Sequence, residues 1–354
     1  MIKNTACCAN WENCCPNSAY VGYSVLPTVI ASLAMAIGGM SDAFLYAYLP
    51  VHSTSLGLGA MALGMILSIN KFVRFFFNRW VNTLVYPFGL RNILFAALLI
   101  AAVTSLSYQF NMPLWLWLIS RSAWGAAYAM FRFASVQYAD LAHSKAKAIG
   151  ITTALRELGP IAAYFIGPLL LASYGPQITF SAASALSLAF LPLVFMLPLM
   201  KSESKHPQTF KFQKGNWLDG WTFLAAFMVD GLIVVAMSLL INFKEHQNTS
   251  NILWVTASFI ALRRVLQLMV APVSGWLVQR LGYKRAFMAS ALAFLPGIAL
   301  LVIDFPTTGI LLLSLAAVVN NVTLPLFALH ANNTADNYNT FTKMATSKDM
   351  GGAI

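Results

Sequence analysis

Apolar residues in this chain run in long blocks, broken by short polar stretches. A bilayer crossing by an α-helix takes roughly 20 such residues. Blocks of that length fall at residues 25–49, 56–78, 91–109, 113–138, 148–173, 178–200, 221–243, 252–277, 285–304 and 307–330. That pattern predicts ten spans, and an eleventh begins near Met344 and is cut off at Ile354. The blocks are too long and too uniformly apolar for the strands of a membrane barrel. The longest polar stretch, residues 201–220, separates six spans from the rest and reads as a linker.

Composition agrees with this pattern. The chain has 354 residues, 59% of them hydrophobic and 9% charged. Soluble domains carry roughly 25% charged residues, so lipid must face most of this surface. The formal charge of +11 does not imply nucleic acid, because the basic residues sit in short loops between apolar blocks. Arg79 and Arg91, then Lys145 and Lys147, then Lys201, Lys205, Lys211 and Lys214, then Arg280, Lys284 and Arg285, then Lys343 lie on alternate loops. The opposite loops are nearly free of them, Lys244 excepted. The positive-inside rule therefore puts the N-terminus and the linker in the cytoplasm, in a plasma (bacterial inner) membrane. The expected organisation is a cytoplasmic tail over 1–24, a six-helix half over 25–200, the linker over 201–220 and a second half over 221–354.

Cys7, Cys8, Cys14 and Cys15 all lie in the tail, with no common zinc or redox spacing. The first apolar run starts late and is too long for a cleavable signal peptide. The halves repeat at a nearly constant offset: Phe88-Gly89-Leu90-Arg91 aligns with Leu281-Gly282-Tyr283-Lys284, and Arg156-Glu157-Leu158-Gly159 with Lys348-Asp349-Met350-Gly351. On this arithmetic the second half stops about two spans short, roughly 40–50 residues.

Several charges stand inside the apolar blocks, where each costs several kcal/mol unless it is partnered or wet. Asp42 and Arg121 each lie eight residues in from an outer proline, Pro50 and Pro113. At 1.5 Å per residue both sit about 12 Å below the same face, so a pair is allowed by depth. It reads either as a proton-coupling or substrate group or as a structural ion pair. Arg132 follows Arg121 by about three turns and shares its stripe with Gly125 and Tyr128, a face expected to line a central cavity. Glu157 is expected to neutralise Arg132 at similar depth, as a gate or a clamp. Asp230 in span seven is a proton-site candidate, or a partner for Arg263 or Arg264. Asn320 and Asn321, mid-span in span ten, suit a substrate or a neighbouring helix. Lys71 and Arg74 can snorkel to the interface, the reading preferred for Lys71. No nucleotide-binding Gly-x-x-x-x-Gly-Lys-Ser/Thr loop, zinc-ligand spacing or catalytic constellation is present, so no cofactor, metal or enzymatic role is expected.

Three local patterns resemble the major facilitator superfamily. Gly275-Trp276-Leu277-Val278-Gln279-Arg280-Leu281-Gly282-Tyr283-Lys284-Arg285 is similar to its cytoplasmic loop motif, with Gln279 at the usual acid; the first-half copy, Asn82 to Asn92, has Tyr86 and Pro87 in place of the acid–Arg pair. Arg121-Ser122-Ala123-Trp124-Gly125 is similar to the Arg-x-x-Gln-Gly motif of proton-coupled exporters, with Trp124 at the glutamine. Gly150, Gly159-Pro160 and Gly167-Pro168 in span five resemble the antiporter motif, with Ala163, Leu171 and Ala172 at further glycine positions. The resemblance implies an all-α bundle of two six-helix halves, the second truncated. It implies a monomeric secondary transporter of a small organic solute, working by alternating access, with proton-coupled export preferred. Proton coupling and the cavity would involve Asp42, Arg121, Arg132 and Asp230. A gate would use Arg156, Glu157, Arg280, Lys284 and Arg285. The substrate cavity would take Tyr46, Trp124, Tyr128, Asn320 and Asn321. The alternatives are an importer or symporter of the same fold, and a membrane sensor or scaffold that does not transport.

Overall fold

The structure is a computed structural model that describes residues 25–53, 56–200, 217–228, 249–303, 306–331 and 337–351. Its described residues are almost entirely helical: α1 (Leu26–Gly38), α2 (Met40–His52), α3 (Ala60–Phe88), α4 (Leu90–Ser107), α5 (Leu114–Asp140), α6 (Lys145–Leu155), α7 (Leu158–Ala189), α8 (Leu191–Val194), α9 (Trp217–Ala226), α10 (Thr249–Leu281), α11 (Tyr283–Val302), α12 (Pro306–Ala331) and α13 (Asn337–Gly351). Helices α1 and α2 form the first span, joined at Gly39. Helix α7 holds two spans, because Gly175 breaks it with φ 77° beside Pro176. The tail 1–24 and Asp230 lie outside the described residues. Helix α9 begins at Trp217, inside the stretch read as linker, because Trp217 and Trp221 both pack on Phe287.

By length and hydropathy, four helical segments among the described residues qualify as membrane spans: Leu26–Tyr46, Leu90–Ser107, Lys145–Val194 and Tyr283–Leu301. Helices α3 and α5 are long enough but carry polar residues, and those polar residues point inward. Asn70, Asn78 and Arg121 are buried, whereas Phe72, Phe76, Trp80 and Trp115 are exposed. Large apolar side chains also face outward from α7, α10 and α11, at Phe165, Leu169, Met269, Met288 and Leu295. Exposed apolar surface on this scale, wrapped around a polar centre, suits hydrocarbon and not water.

The first half has two cores. One joins α1, α4 and α5 through Leu94, Leu98, Trp124 and Phe131. The other gathers Phe44, Tyr48, Tyr108, Trp117 and Phe180 at the opposite end. The halves meet through Ala139, Ala148 and Ile149 on one side and Ala271, Val278 and Val322 on the other. Here α6 and α10 touch backbone to backbone. A Cβ on Gly150 would lie 2.7 Å from the Ala271 carbonyl oxygen, and one on Gly275 would lie 2.6 Å from that of Ala146. This join lies at the end of the bundle that carries the basic loops.

The internal repeat is visible in the backbone. Gly89 has φ 77° and ψ 157°, and Gly282 has φ 81° and ψ 148°. Both stand between consecutive spans at equivalent places, in a left-handed conformation that a Cβ disfavours.

Candidate functional site

Two charged clusters occupy the interior. The first belongs to the first half alone. Arg121 is fully buried on α5, and its Nη1 donates to Asp42 Oδ1 on α2. Its Nε donates to the Ile66 carbonyl at 3.2 Å, and the guanidinium lies 5.2 Å from the centre of the Tyr46 ring. Tyr46 is fixed in turn, donating to the Leu67 carbonyl at 3.2 Å and accepting from Asn70 Nδ2 at 3.2 Å. Asp42 retains 16% exposure, so the carboxylate is the end of the pair within reach of water. A buried guanidinium needs such a partner, since its charge has no other compensation in low dielectric.

The second cluster spans both halves. Glu157, in the turn between α6 and α7, accepts from Arg264 of α10 at 2.5 Å and from Arg156 at 3.2 Å. Asp349 of α13 accepts from Asn78 of α3 at 2.8 Å and from Arg132 of α5 at 3.2 Å, with Arg74 of α3 at 3.7 Å. Arg74 also lies over the Tyr128 ring, 4.5 Å from its centre. Glu157 stands twelve residues past the start of α6, and Asp349 twelve past the start of α13. Each is therefore about 18 Å along its helix from the basic-loop end.

The expected Glu157–Arg132 pair is not formed. The two are close in depth but turned to different neighbours, Arg132 towards α13 and Glu157 towards α10. Arg264, a candidate partner for Asp230, is taken up by Glu157. Arg74 does not snorkel: its guanidinium is 13% exposed and faces Asp349.

A small cavity adjoins the second cluster, with about 40 Å³ of free space, room for a few waters. Arg132, Thr152, Arg156, Asn321 and Lys348 line it. Lys348 donates to Asn321 Oδ1 at 2.5 Å. Asn320 is buried and accepts from Trp221 Nε1 at 3.2 Å. Trp124 is 2% exposed and packs in the first core, edge-on to Tyr128. Of the loop-motif residues, Gln279 donates to Ser144 Oγ, Arg280 lies over Trp276 at 4.0 Å, and Lys284 and Arg285 are exposed. Among the described residues no group of three or more His, Cys, Asp or Glu side chains is placed to hold a metal ion.

Sequence reading missed Asp349 and Lys348 as site residues, and with them Arg74, Arg264 and Thr152. The signal was present. The repeat offset that equates Glu157 with Asp349 nearly equates Arg74 with Arg264, which stand 190 positions apart.

Two helical halves, apolar outside and closed on each other through buried charge, define an integral membrane protein of the transporter type. The sequence profile described as Major Facilitator Superfamily matches residues 30–347. The chain belongs to that superfamily. Among solved structures, its fold is similar to that of the proton:xylose symporter XylE bound to 6-bromo-6-deoxy-D-glucose, at 13% identity over 92% of this chain and 86% of that one, TM-score 0.71. It is also similar to the transporter FucP in the outward conformation, at 15% identity over 95% and 90%, TM-score 0.71. The human organic anion transporter MFSD10 (TETRAN) follows at 16% identity over 93% and 89%, TM-score 0.69. A comparison with curated protein sequences returns no match. These likenesses are of fold, and the family makes the chain a secondary transporter.

Proposed function

We propose that this protein moves a small organic solute across the plasma membrane by alternating access, acting as a monomer with its basic-loop end in the cytoplasm. The observation that carries the reading is the pair of ion pairs between halves, Glu157–Arg264 and Asp349–Arg74. The repeat exchanges one for the other: span five holds span eight, and span eleven holds span two. Both must part for the halves to rock open at that end, and both can re-form, so they bias a two-state equilibrium. With both pairs formed, the halves are held together at the basic end.

Proton coupling is assigned to Asp42. Protonating its carboxyl weakens the hold on Arg121, and the freed guanidinium is a second charge that must then find a partner. The span-four and span-five motifs favour export as the direction. Uptake by the same machinery is the competing reading. Reconstituted vesicles of known orientation decide between them. Export predicts solute loss from the cytoplasmic-side compartment against a proton gradient, and accumulation driven inward by an inward proton gradient would establish uptake instead. If neither occurs, and D42N and R121A cells keep full biological activity, the protein does not transport through this bundle.

A further inference from the structure

Tyr164, on α7, stands between the two charged clusters. Its level follows from close packing. Gly159 of α7 lies against the Ala36 backbone of α1, and Gly167 lies against the Phe44 ring of α2, each so close that a Cβ would overlap its neighbour. Both pairs are 123 positions apart, so α7 runs parallel to the first span and in constant register with it. That register sets Tyr164 opposite Ser41, one residue from Asp42. Tyr164 is also seven residues past Glu157. Seven residues make about two turns, so both stand on one face of the helix, about 10 Å apart. One helical segment therefore carries the Glu157–Arg264 latch at its start and reaches the level of the Asp42–Arg121 pair.

Electrostatics agree with this placement. The Tyr164 hydroxyl is within electrostatic reach of Arg264 and Glu157, and also of Asp42 and Tyr46. Arg264 belongs to the other half and has Tyr128 of α5 within reach as well. Asp42 is faced by Arg121 of α5, by Arg74 of α3 and by Tyr108 at the end of α4.

We infer that Tyr164 links the proton site to the latch, its hydroxyl carrying the state of Asp42 to the Glu157–Arg264 pair. This rests on the assignment of proton coupling to Asp42 above and adds the residue that transmits it. A tyrosine hydroxyl has one hydrogen to donate and lone pairs to accept with. Two carboxylates, Asp42 and Glu157, compete for that hydrogen. While Asp42 is ionised, the hydrogen turns towards Asp42 and the lone pairs towards Arg264, which supports the latch. Once Asp42 takes a proton, its pull is lost and the hydrogen turns towards Glu157. Glu157 then holds Arg264 less firmly, and the latch loosens. Tyr164 keeps its own proton throughout; only Asp42 gains and releases one. Tyr164 is thus a positioning residue, acting through the direction of a single O–H bond.

The test is a double-mutant cycle at neutral pH, with D42N standing in for the protonated carboxyl. Spin labels on K147C and K284C report the separation of the halves by pulsed EPR in nanodiscs, in a background without the native cysteines. Both positions are exposed at the basic-loop end, one in each half. D42N should raise the open fraction about threefold or more. With Y164F already present, D42N should leave it unchanged. A ring that only packs predicts otherwise, since Phe keeps the ring and independent changes add. Y164L repeats the cycle if Y164F fails to fold. An equal effect of D42N with and without the Tyr164 hydroxyl overturns the link and leaves Asp42 standing as the proton site. No effect of D42N even with Tyr164 in place overturns the assignment of Asp42 itself, and the link falls with it.

Discussion

Arg264 donates to Glu157 at 2.5 Å, so a cation of one half closes on a carboxylate of the other. Glu157 is almost wholly buried, while Arg264 retains 37% exposure. Water therefore screens one partner, and the pair's contribution is discounted to about 1 kcal/mol. E157Q should shift the open-to-closed ratio at this end about fivefold. A cysteine introduced at Thr153, beside the cavity, reports the shift as faster labelling by a soluble maleimide in a background lacking the native cysteines.

D349N should act in the same direction as E157Q, because it removes the partner of Arg132 and Arg74. The double variant should open the basic-loop end further than either single one. If the double labels no faster than E157Q, the two pairs do not share one motion.

The Asp42–Arg121 pair has a separate signature. R121A leaves a carboxylate in the bundle without its cation and should cost about 3–5 kcal/mol, seen as a fall in Tm of the purified protein. D42N should be milder in Tm but should uncouple: gradient-driven transport is lost while solute counterflow persists. A variant that loses both alike points to a structural pair.

Trp124 tests where the cavity ends. It stands at the glutamine of the exporter motif, yet it is buried against Phe131 and Tyr128 in the first core. W124A should destabilise by about 3–5 kcal/mol through the void it leaves. W124F should lower Tm and leave the KM for transport unchanged. A KM change in W124F with unaltered Tm would place the ring in contact with solute.

Much of this architecture was legible because a bilayer imposes simple rules. Long apolar blocks and alternating basic loops located the spans, and matching distances from Pro50 and Pro113 brought Asp42 level with Arg121. Depth can be read along a helix; azimuth cannot. That is why Glu157 was matched with Arg132, at similar depth but facing another helix. Arg74 stays open in the sequence for a related reason. A cation near the middle of α3 can reach the interface or the interior, and only the position of α13 decides. Asp349 was visible in the repeat but lay in a segment read as a mere beginning, so its equivalence to Glu157 was not carried through to a role.

Gly89 and Gly282 show what the two halves share. Around Gly282 the loop keeps Arg280, Lys284 and Arg285, whereas Tyr86 and Pro87 now precede Gly89. The side chains of the two copies differ, yet both glycines hold the same left-handed turn, within a few degrees in φ. The repeat is thus carried by backbone shape as well as by the aligned residues. Within the first-half loop Val85 and Leu90 are buried in the first core and Gly89 holds the turn, so libraries that vary the loop should recover folded protein where those three are left alone.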